Sequence, residues 1–299
     1  MKTVIGFIGL GHMGNPMVHH LLQAGYTVYV FDVIADAMSL VVKQGALAAN
    51  SILEVAEKSD IIITSLQTSD QVSDVCLSPN GLFAHAKSGM LFIDCSSIDI
   101  TTTRFLHEKA HEFHINMLDA PVSGGVAGAQ AATLTFMVGG DEANVLCALP
   151  ILQIMGKKIV HAGPAGSGQA AKICNNLLLG ISMVGVCEAF SLAEKLGLDS
   201  KKFFDISSNA SGQCWSMTSY CPVPGIVDAT PSNHDYAPGF MAKMMLKDLR
   251  LAHHAAETVN AAIPLGATVA ELYELYVNQG QGEKDFSGII HFIKGKSSS

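Results

Sequence analysis

The stretch Val4-Ile-Gly-Phe-Ile8-Gly9-Leu-Gly11-His-Met-Gly14 joins a short apolar run to a glycine-rich turn. The run Val4–Ile8 predicts a buried strand, and the G-x-G-x-x-G spacing after it is typical of a turn that opens a helix and binds a dinucleotide. The first glycine permits the bend, the second lets the backbone approach a pyrophosphate, and the third lets the helix pack on the strand. The helix N-terminus offers N–H groups to the phosphates. The predicted cofactor-binding residues of the turn are therefore Gly9, Leu10, Gly11, His12, Met13 and Gly14.

A second apolar run, Thr27–Phe31, ends at an acid, Asp32. An acid at the end of this strand accepts hydrogen bonds from ribose hydroxyls and repels a 2′-phosphate. The next residues are Val33, Ile34 and Ala35, so no arginine follows to bind such a phosphate. We therefore expect NAD rather than NADP as the cofactor. The alternative is a purely structural glycine turn beside a solvated aspartate.

Apolar runs alternate with amphipathic stretches through the first half of the chain. The runs are continuously apolar, as expected for a parallel sheet covered on both faces. Predicted strands are Val4–Ile8, Thr27–Phe31, Ile61–Ser65, Met90–Asp94, Asn116–Ala120, Thr135–Val138 and Lys157–His161. Predicted helices lie near 12–24, 35–44, 69–76, 101–114 and 141–155. This order predicts a doubly wound α/β domain.

The pattern changes at the glycine-rich segment 163–168, after which only helices are predicted, near 169–196, 201–209, 239–259 and 264–279. The expected architecture is a Rossmann-like doubly wound α/β domain (1–163) followed by an all-α domain (164–299), joined by a long helix. The apolar stretch Leu177–Cys187 is shorter than the ~18 residues of a membrane span, so we expect a buried helix and no membrane.

Composition narrows the functional classes. The 299 residues are 49% apolar and 15% charged, enough for a large core and two domains. The formal charge is −8 and no basic block occurs, so a nucleic-acid partner is not expected. Seven cysteines without a C-x-x-C pair favour reduced thiols. Since the first strand begins close to the N-terminus, we expect a bacterial cytoplasmic enzyme, or a mature mitochondrial-matrix form without its leader.

Polar side chains open the long helix of the second half. Spacings of three and four residues place Gln169, Lys172 and Asn176 on one face, ahead of an almost wholly apolar stretch. A buried lysine can exchange a proton with a substrate hydroxyl, because burial brings the pKa of an ammonium toward neutrality. A lysine that reaches solvent near the helix start is an equally good interpretation on spacing alone.

Two further segments have both a functional and an ordinary interpretation. Asp119-Ala-Pro-Val-Ser123-Gly124-Gly125 follows a strand, where open α/β sheets bind ligands, and its glycines could let N–H groups converge on a carboxylate. It could equally be a plain glycine turn. The pair Lys247-Asp248 interrupts an apolar helix and is either a cleft pair or a surface pair.

The segment His107-Glu-Lys-Ala-His111 matches the H-E-x-x-H pattern of zinc proteases. It lies in a predicted crossover helix, far along the chain from a further ligand. Position 114 is histidine where the extended zinc motif has glycine. We therefore expect no metal, and a zinc hydrolase remains only a minor alternative.

Four ordered motifs resemble those of the β-hydroxyacid dehydrogenase family over nearly the whole length. They are GFIGLGHMGNPM (6–17), DAPVSGG (119–125), GSGQAAKICNN (166–176) and KDL (247–249). Segments 213–216, 222–227 and 284–287 most resemble the members that oxidise 3-hydroxyisobutyrate with NAD in valine breakdown. Ile100 is a departure, since proline is usual there in the family.

The resemblance implies roles for individual residues. Lys172 matches the proton-transfer lysine, Asn176 matches a second polar residue of the catalytic helix, and Ser123, Gly124 and Gly125 match the carboxylate-binding loop. The further cofactor contacts that it implies are Leu66, Gln67, Gln71, Ser97 and Lys247. Trp215 and Tyr220 are expected to form walls of the substrate pocket.

The resemblance also implies partners and alternatives. We expect a small 3-hydroxycarboxylate substrate and a homodimer or homotetramer. L-serine oxidation and tartronate semialdehyde reduction are the alternatives within the family. A non-catalytic nucleotide-binding scaffold is the alternative from another class, and Lys172 argues against it.

Overall fold

The computed structural model describes residues 3–295 of the chain, which form two compact units that divide between Lys172 and Ile173. The first unit is built on one sheet flanked by helices. The second unit contains helices and turns, and the one β-type pairing among its described residues is an isolated bridge between Met241 and Asp285.

The sheet of the first unit has nine strands in the described part of the chain, in the order β3-β2-β1-β4-β5-β6-β8-β7, with β9 also paired to β8. Strands β1 to β6 are mutually parallel, and β8 runs antiparallel to β6 and β7. The order 3-2-1-4-5-6 is that of doubly wound dinucleotide-binding folds. The strands are β1 (Val4–Ile8), β2 (Thr27–Phe31), β3 (Leu47–Ala48), β4 (Ile61–Thr64), β5 (Leu91–Asp94), β6 (Asn116–Asp119), β7 (Val122–Ser123), β8 (Leu134–Gly139) and β9 (Gly156–Gly163).

Helices connect these strands. They are α1 (Gly14–Gln23), α2 (Ala35–Val42), α3 (Ile52–Lys58), α4 (Ser69–Leu77), α5 (Leu82–His85), α6 (Ile100–Glu112), α7 (Gly125–Gln130) and α8 (Glu142–Met155). The helices cover both faces of the sheet, which explains why its central strands read as continuous apolar runs. Phe7, Phe92 and Phe136 are among the largest fully buried side chains. The predicted α/β Rossmann-like fold is confirmed.

The long helix α9 (Ser167–Lys195) begins in the first unit and continues into the second. The remaining helices are α10 (Ser200–Ser207), α11 (Trp215–Thr218), α12 (Ala242–Thr258), α13 (Pro264–Tyr276) and α14 (Ile289–Ile293), with shorter turns at Pro231–His234, Val277–Gln281 and Phe286–Gly288. Met183, Cys187, Phe190, Tyr273 and Tyr276 are buried in the core of the second unit. The predicted all-α second half is confirmed.

By length and composition, α9 is the one helix of residues 3–295 that could cross a membrane. The apolar stretch Leu177–Cys187 is only the middle of this 29-residue helix. Half of its apolar window is buried inside the protein, and the core helix of a soluble protein passes the same test. Its first turns also bury Gln169, Lys172 and Asn176. Polar residues in these positions fit a core helix better than a membrane span.

Candidate active site

The glycine turn after β1 has the close contacts that its spacing predicts. Gly9 has a φ of +94°, and a Cβ on it would lie 2.3 Å from the carbonyl oxygen of Ser65. A Cβ on Gly14 would lie 2.0 Å from the carbonyl oxygen of Gly9. Gly11 is exposed, and nothing lies within 4 Å of the place its Cβ would take. Packing thus excludes side chains at the first and third glycines, whereas the second leaves an open surface that fits a pyrophosphate.

Asp32 lies beside this turn and accepts two backbone hydrogen bonds. Leu10 N donates to Oδ2 at 2.6 Å and Ile34 N donates to Oδ1 at 2.8 Å. A carboxylate has about four lone-pair positions, so each oxygen keeps one for a further donor such as a ribose hydroxyl. The next side chain, Val33, is 86% exposed and uncharged. The acid therefore both holds the glycine turn and fits the ribose of NAD.

The loops after β4 and β5 meet at the same edge of the sheet, as the carboxyl ends of neighbouring parallel strands must. Leu66 N donates to Ser96 Oγ at 2.9 Å, which links the two loops. Gln67 N donates to Gln71 Oε1 at 3.0 Å, so the Gln71 amide also orients the loop that precedes α4. Ser97 is half-buried beside Ser96. The edge that carries the glycine turn thus also carries the other predicted cofactor residues, which are Leu66, Gln67, Gln71 and Ser97. Their contacts with the cofactor remain a prediction.

A buried carboxylate supports these loops from beneath. Asp94, at the end of β5, accepts hydrogen bonds on Oδ1 from Thr64 Oγ1 at 2.7 Å and from Ser96 N at 3.0 Å. Its other oxygen, Oδ2, is buried and has no hydrogen-bond partner among the described residues. Burial raises the pKa of the Asp94 carboxyl, and these hydrogen bonds oppose the rise. The sequence contained no motif that predicted this role.

We expect Asp94→Asn to gain stability relative to the native protein as the pH rises. Because the pKa is raised in the folded state, the unfolded chain releases its proton first as the pH climbs from about 3.8. The free energy of unfolding contributed by Asp94 therefore falls with rising pH. Asparagine has no such proton, and its Oδ1 can accept the same two hydrogen bonds.

Urea unfolding of both proteins between about pH 4.5 and 7.5 measures this difference. Asp74→Asn is the matched control, since Asp74 is an exposed aspartate on α4. A difference between Asp94→Asn and the native protein that stays flat or shrinks with pH contradicts the prediction.

The segment after β6 contains a glycine turn that is exposed at Gly124. Ser123 ends β7 and pairs with Thr135 of β8. Gly124 is exposed, with a φ of +135°, and Gly125 has a φ of +61°. Both values are in the region that side-chain-bearing residues avoid. The two glycines therefore allow the backbone path that the carboxylate-binding prediction requires.

The start of α9 is fixed by Gln169. Its Nε2 donates to Ser96 O at 2.7 Å, and its Oε1 accepts from Ile98 N at 3.2 Å. The sequence places Gln169 on the same helix face as Lys172, but backbone groups already occupy the Gln169 amide. Lys172 itself is 8% exposed, so the interpretation of a solvated lysine is wrong.

In the second unit, Asn176 and Asp248 are bonded to each other. Asn176 is 1% exposed and Asp248 is 4% exposed, and Asn176 Nδ2 donates to Asp248 Oδ2. Lys247 Nζ lies 3.5 Å from Asp248 Oδ1. The sequence allowed Lys247-Asp248 to be either a cleft pair or a surface pair. Because Asp248 is buried, the surface interpretation is wrong for this residue. Asp248 fixes the orientation of the Asn176 amide, whose Oδ1 accepts from Asn175 Nδ2 at 2.9 Å.

The two aromatic residues predicted as pocket walls stack on each other. The rings of Trp215 and Tyr220 are 4.8 Å apart, and Tyr220 also stacks on Phe286 at 5.3 Å. The Tyr220 hydroxyl donates to Asp285 Oδ2 at 2.8 Å, and burial raises its pKa above the ordinary value. Trp215 is 50% exposed and can contact a ligand. Tyr220 packs between the rings of Trp215 and Phe286.

The H-E-x-x-H histidines do not form a metal-binding group. Within residues 3–295, no three His, Cys, Asp or Glu side chains are grouped so that they could share an ion. His107 Nε2 instead donates to Asp119 Oδ1 at 3.0 Å, and His111 is exposed on the same helix.

Comparison with known proteins accounts for both parts of the chain. Residues 4–163 match the model of the NAD binding domain of 6-phosphogluconate dehydrogenase. Residues 166–293 match the NAD-binding domain of NADP-dependent 3-hydroxyisobutyrate dehydrogenase. The NAD-dependent L-serine dehydrogenase of Pseudomonas aeruginosa is 46% identical over 283 residues, which are 95% of each chain.

The chain belongs to the β-hydroxyacid dehydrogenase family. The human mitochondrial 3-hydroxyisobutyrate dehydrogenase is 43% identical over 98% of this chain and 87% of its own. The structure of Mycobacterium tuberculosis 3-hydroxyisobutyrate dehydrogenase with L-serine has a TM-score of 0.93 and 44% identity, covering 98% of this chain and all of the other. This β-hydroxyacid dehydrogenase is therefore an NAD-dependent enzyme that acts on small hydroxyacids, and the prediction of family and cofactor is confirmed.

Proposed function

We propose that this dehydrogenase oxidises 3-hydroxyisobutyrate to methylmalonate semialdehyde in valine breakdown. The observation that carries the proposal is the buried Lys172 in the early turns of α9, within a protein whose first unit is an NAD-binding domain. A buried amine in this position is suited to exchange a proton with an alcohol. The human and M. tuberculosis relatives that carry this substrate in their names support the choice.

The proposed roles follow from position and chemistry. The glycine turn and Asp32 would hold NAD, which accepts a hydride from the carbinol carbon when bound. Ser123 and Gly124 bind the substrate carboxylate, and Asn176 donates to the substrate hydroxyl. The uncharged amine of Lys172 accepts the hydroxyl proton as the carbonyl forms, and later releases it to solvent. In the reverse direction, the Lys172 ammonium donates that proton to the aldehyde oxygen.

L-serine is the second candidate substrate. The P. aeruginosa relative is named an L-serine dehydrogenase, and the M. tuberculosis structure is one with L-serine. L-serine and 3-hydroxyisobutyrate share a carboxylate and a hydroxymethyl group and differ only at C2, which carries an ammonium or a methyl group. Tartronate semialdehyde, whose reduction is the third candidate reaction, carries a hydroxyl there. The same proton transfer thus serves all three.

The substrates are separated by measuring kcat/KM with NAD for each 3-hydroxyacid, following the absorbance of the reduced cofactor. We expect 3-hydroxyisobutyrate to exceed L-serine by about 10–200-fold, the range that one small group is worth in a pocket. The reverse order would make the protein an L-serine dehydrogenase. No reduction of NAD by any substrate would favour the non-catalytic scaffold and end the proposal.

The remaining proposals concern organisation. We propose functional domains of residues 1–163 and 164–299, a homodimer or homotetramer, and no nucleic-acid, membrane or metal partner. The relatives include bacterial proteins and mitochondrial ones. We propose a bacterial cytoplasmic location, with the mitochondrial matrix as the alternative.

A further inference from the structure

Asp119 is a fully buried carboxylate at the end of β6 that accepts three hydrogen bonds. Oδ1 accepts from Gly166 N at 2.9 Å and from His107 Nε2 at 3.0 Å. Oδ2 accepts from Gln169 N at 3.0 Å. Two of the three donors are backbone groups at the start of α9, and the third is a side chain of α6. One carboxylate therefore ties the N-terminus of α9 to β6 and α6.

This arrangement is favourable for a helix start. The first N–H groups of a helix have no partner within it, and the helix dipole gives this end a partial positive charge. A carboxylate supplies both an acceptor and the opposite charge. Asp119 lies 47 positions before Gly166, so this contact is a tertiary one and differs from a local helix cap.

Packing leaves the helix start little freedom. A Cβ on Gly168 would lie 2.4 Å from Met137 O and 2.5 Å from Asp119 O. A Cβ on Gly139 would lie 2.6 Å from Asp119 Oδ1. The first turn of α9 thus rests directly on the ends of β6 and β8.

The proton-transfer lysine lies just beyond this point. Lys172 is three residues after Gln169, which corresponds to about 4.5 Å along the helix axis. A small rotation of the first turn would therefore move the Lys172 side chain, and misplacing a reacting group by about 1 Å can cost ~10²-fold in rate.

We propose that Asp119 and His107 form a positioning pair that orients the first turn of α9, and through it Lys172. The inference rests on the role of Lys172 in the proposed function. His107 is 12% exposed at its side chain and donates to Asp119, so it fixes the carboxylate toward the two amides. His107, the first histidine of the H-E-x-x-H segment, thus helps to hold the carboxylate that binds the start of α9.

Four variants test the pair: Asp119→Asn, His107→Leu, His107→Gln and His111→Leu. Both oxygens of Asp119 accept hydrogen bonds. Asparagine keeps only one acceptor oxygen and places an N–H group where the other one stood. Leucine at 107 removes the donor, whereas glutamine presents an N–H close to the position of Nε2. His111 lies one turn further on α6 and is the matched control. Together with His107 and Pro164 it lines an open groove on the surface.

We expect kcat to fall by about 10–100-fold in Asp119→Asn and about 3–10-fold in His107→Leu, with the KM for NAD within about twofold. His107→Gln should recover most of the loss, and His111→Leu should match the native enzyme. Hydrogen–deuterium exchange of amides 166–172 should be faster in the first two variants and unchanged in the other two.

Native kcat in folded Asp119→Asn or His107→Leu would overturn the inference, as would unchanged exchange at residues 166–172. If Asp119→Asn fails to fold, the three histidine variants decide. If the native protein oxidises no 3-hydroxyacid, the proposed function fails, and exchange alone then shows whether the pair holds the helix start.

Discussion

Lys172→Ala is expected to lower kcat by about 10²–10⁴-fold while the affinity for NAD stays nearly unchanged. The substrate hydroxyl must lose its proton as the carbonyl forms, and the variant lacks the amine that we propose accepts it. The side chain is 8% exposed, so its loss also leaves a space close to the helix start. Single-turnover measurements with bound NAD separate the chemical step from cofactor binding.

Two variants separate proton transfer from charge and from helix stability. Lys172→Arg keeps a cation but holds its proton at every accessible pH, so it should be nearly as slow as the alanine variant. Lys195→Ala removes an exposed lysine at the other end of α9 and should match the native rate. Near-native turnover of Lys172→Ala, or full activity of Lys172→Arg, would contradict the mechanism.

The strands that form the middle of the sheet could be predicted from sequence because burial on both faces requires unbroken apolar runs. The predicted bounds of Val4–Ile8 and Thr27–Phe31 are those of β1 and β2. In contrast, β3 (Leu47–Ala48) and β7 (Val122–Ser123) have two residues each, too few to show any periodicity. Their positions depend on the neighbouring strands with which they pair.

Three short helices cannot be predicted from the apolar pattern for a related reason. α3 (Ile52–Lys58), α5 (Leu82–His85) and α7 (Gly125–Gln130) span two turns or fewer, so their apolar residues do not repeat along a face. A local indication existed for α3, since Ser51 caps it by accepting from Glu54 N, and a serine three residues before a glutamate is the capping-box pattern.

The site shows the same division between local and tertiary information. The glycine turn and Asp32 could be predicted because backbone conformation and strand ends are local properties. The roles of Asp119, Gln169 and Asp248 could not, because each depends on a bond to a residue 47 or more positions away. The spacing of His107 and His111 matches a zinc-binding pattern, but in the fold His107 instead donates to Asp119.

Replacing Asp32 by serine together with Val33→Arg is expected to lower the ratio of kcat/KM for NAD over NADP by at least about 10²-fold. A hydrogen bond to a charged group contributes about 1.5–3 kcal/mol, and each 1.4 kcal/mol is about tenfold. The double variant loses such a bond to the ribose of NAD and gains a cation for the 2′-phosphate of NADP. Initial rates with both cofactors measure the ratio.

The ratio is the decisive quantity because Asp32 has a structural role besides its proposed contact with the ribose. Its carboxylate also accepts from Leu10 N and Ile34 N, so any substitution loosens the glycine turn and slows the enzyme with either cofactor. That loss cancels in the ratio, which leaves the discrimination at the ribose. Asp36→Ser, which removes an exposed acid in the first turn of α2, should leave the ratio unchanged. A double variant that still prefers NAD as strongly as the native enzyme would show that other residues choose the cofactor, and that Asp32 serves only to hold the turn.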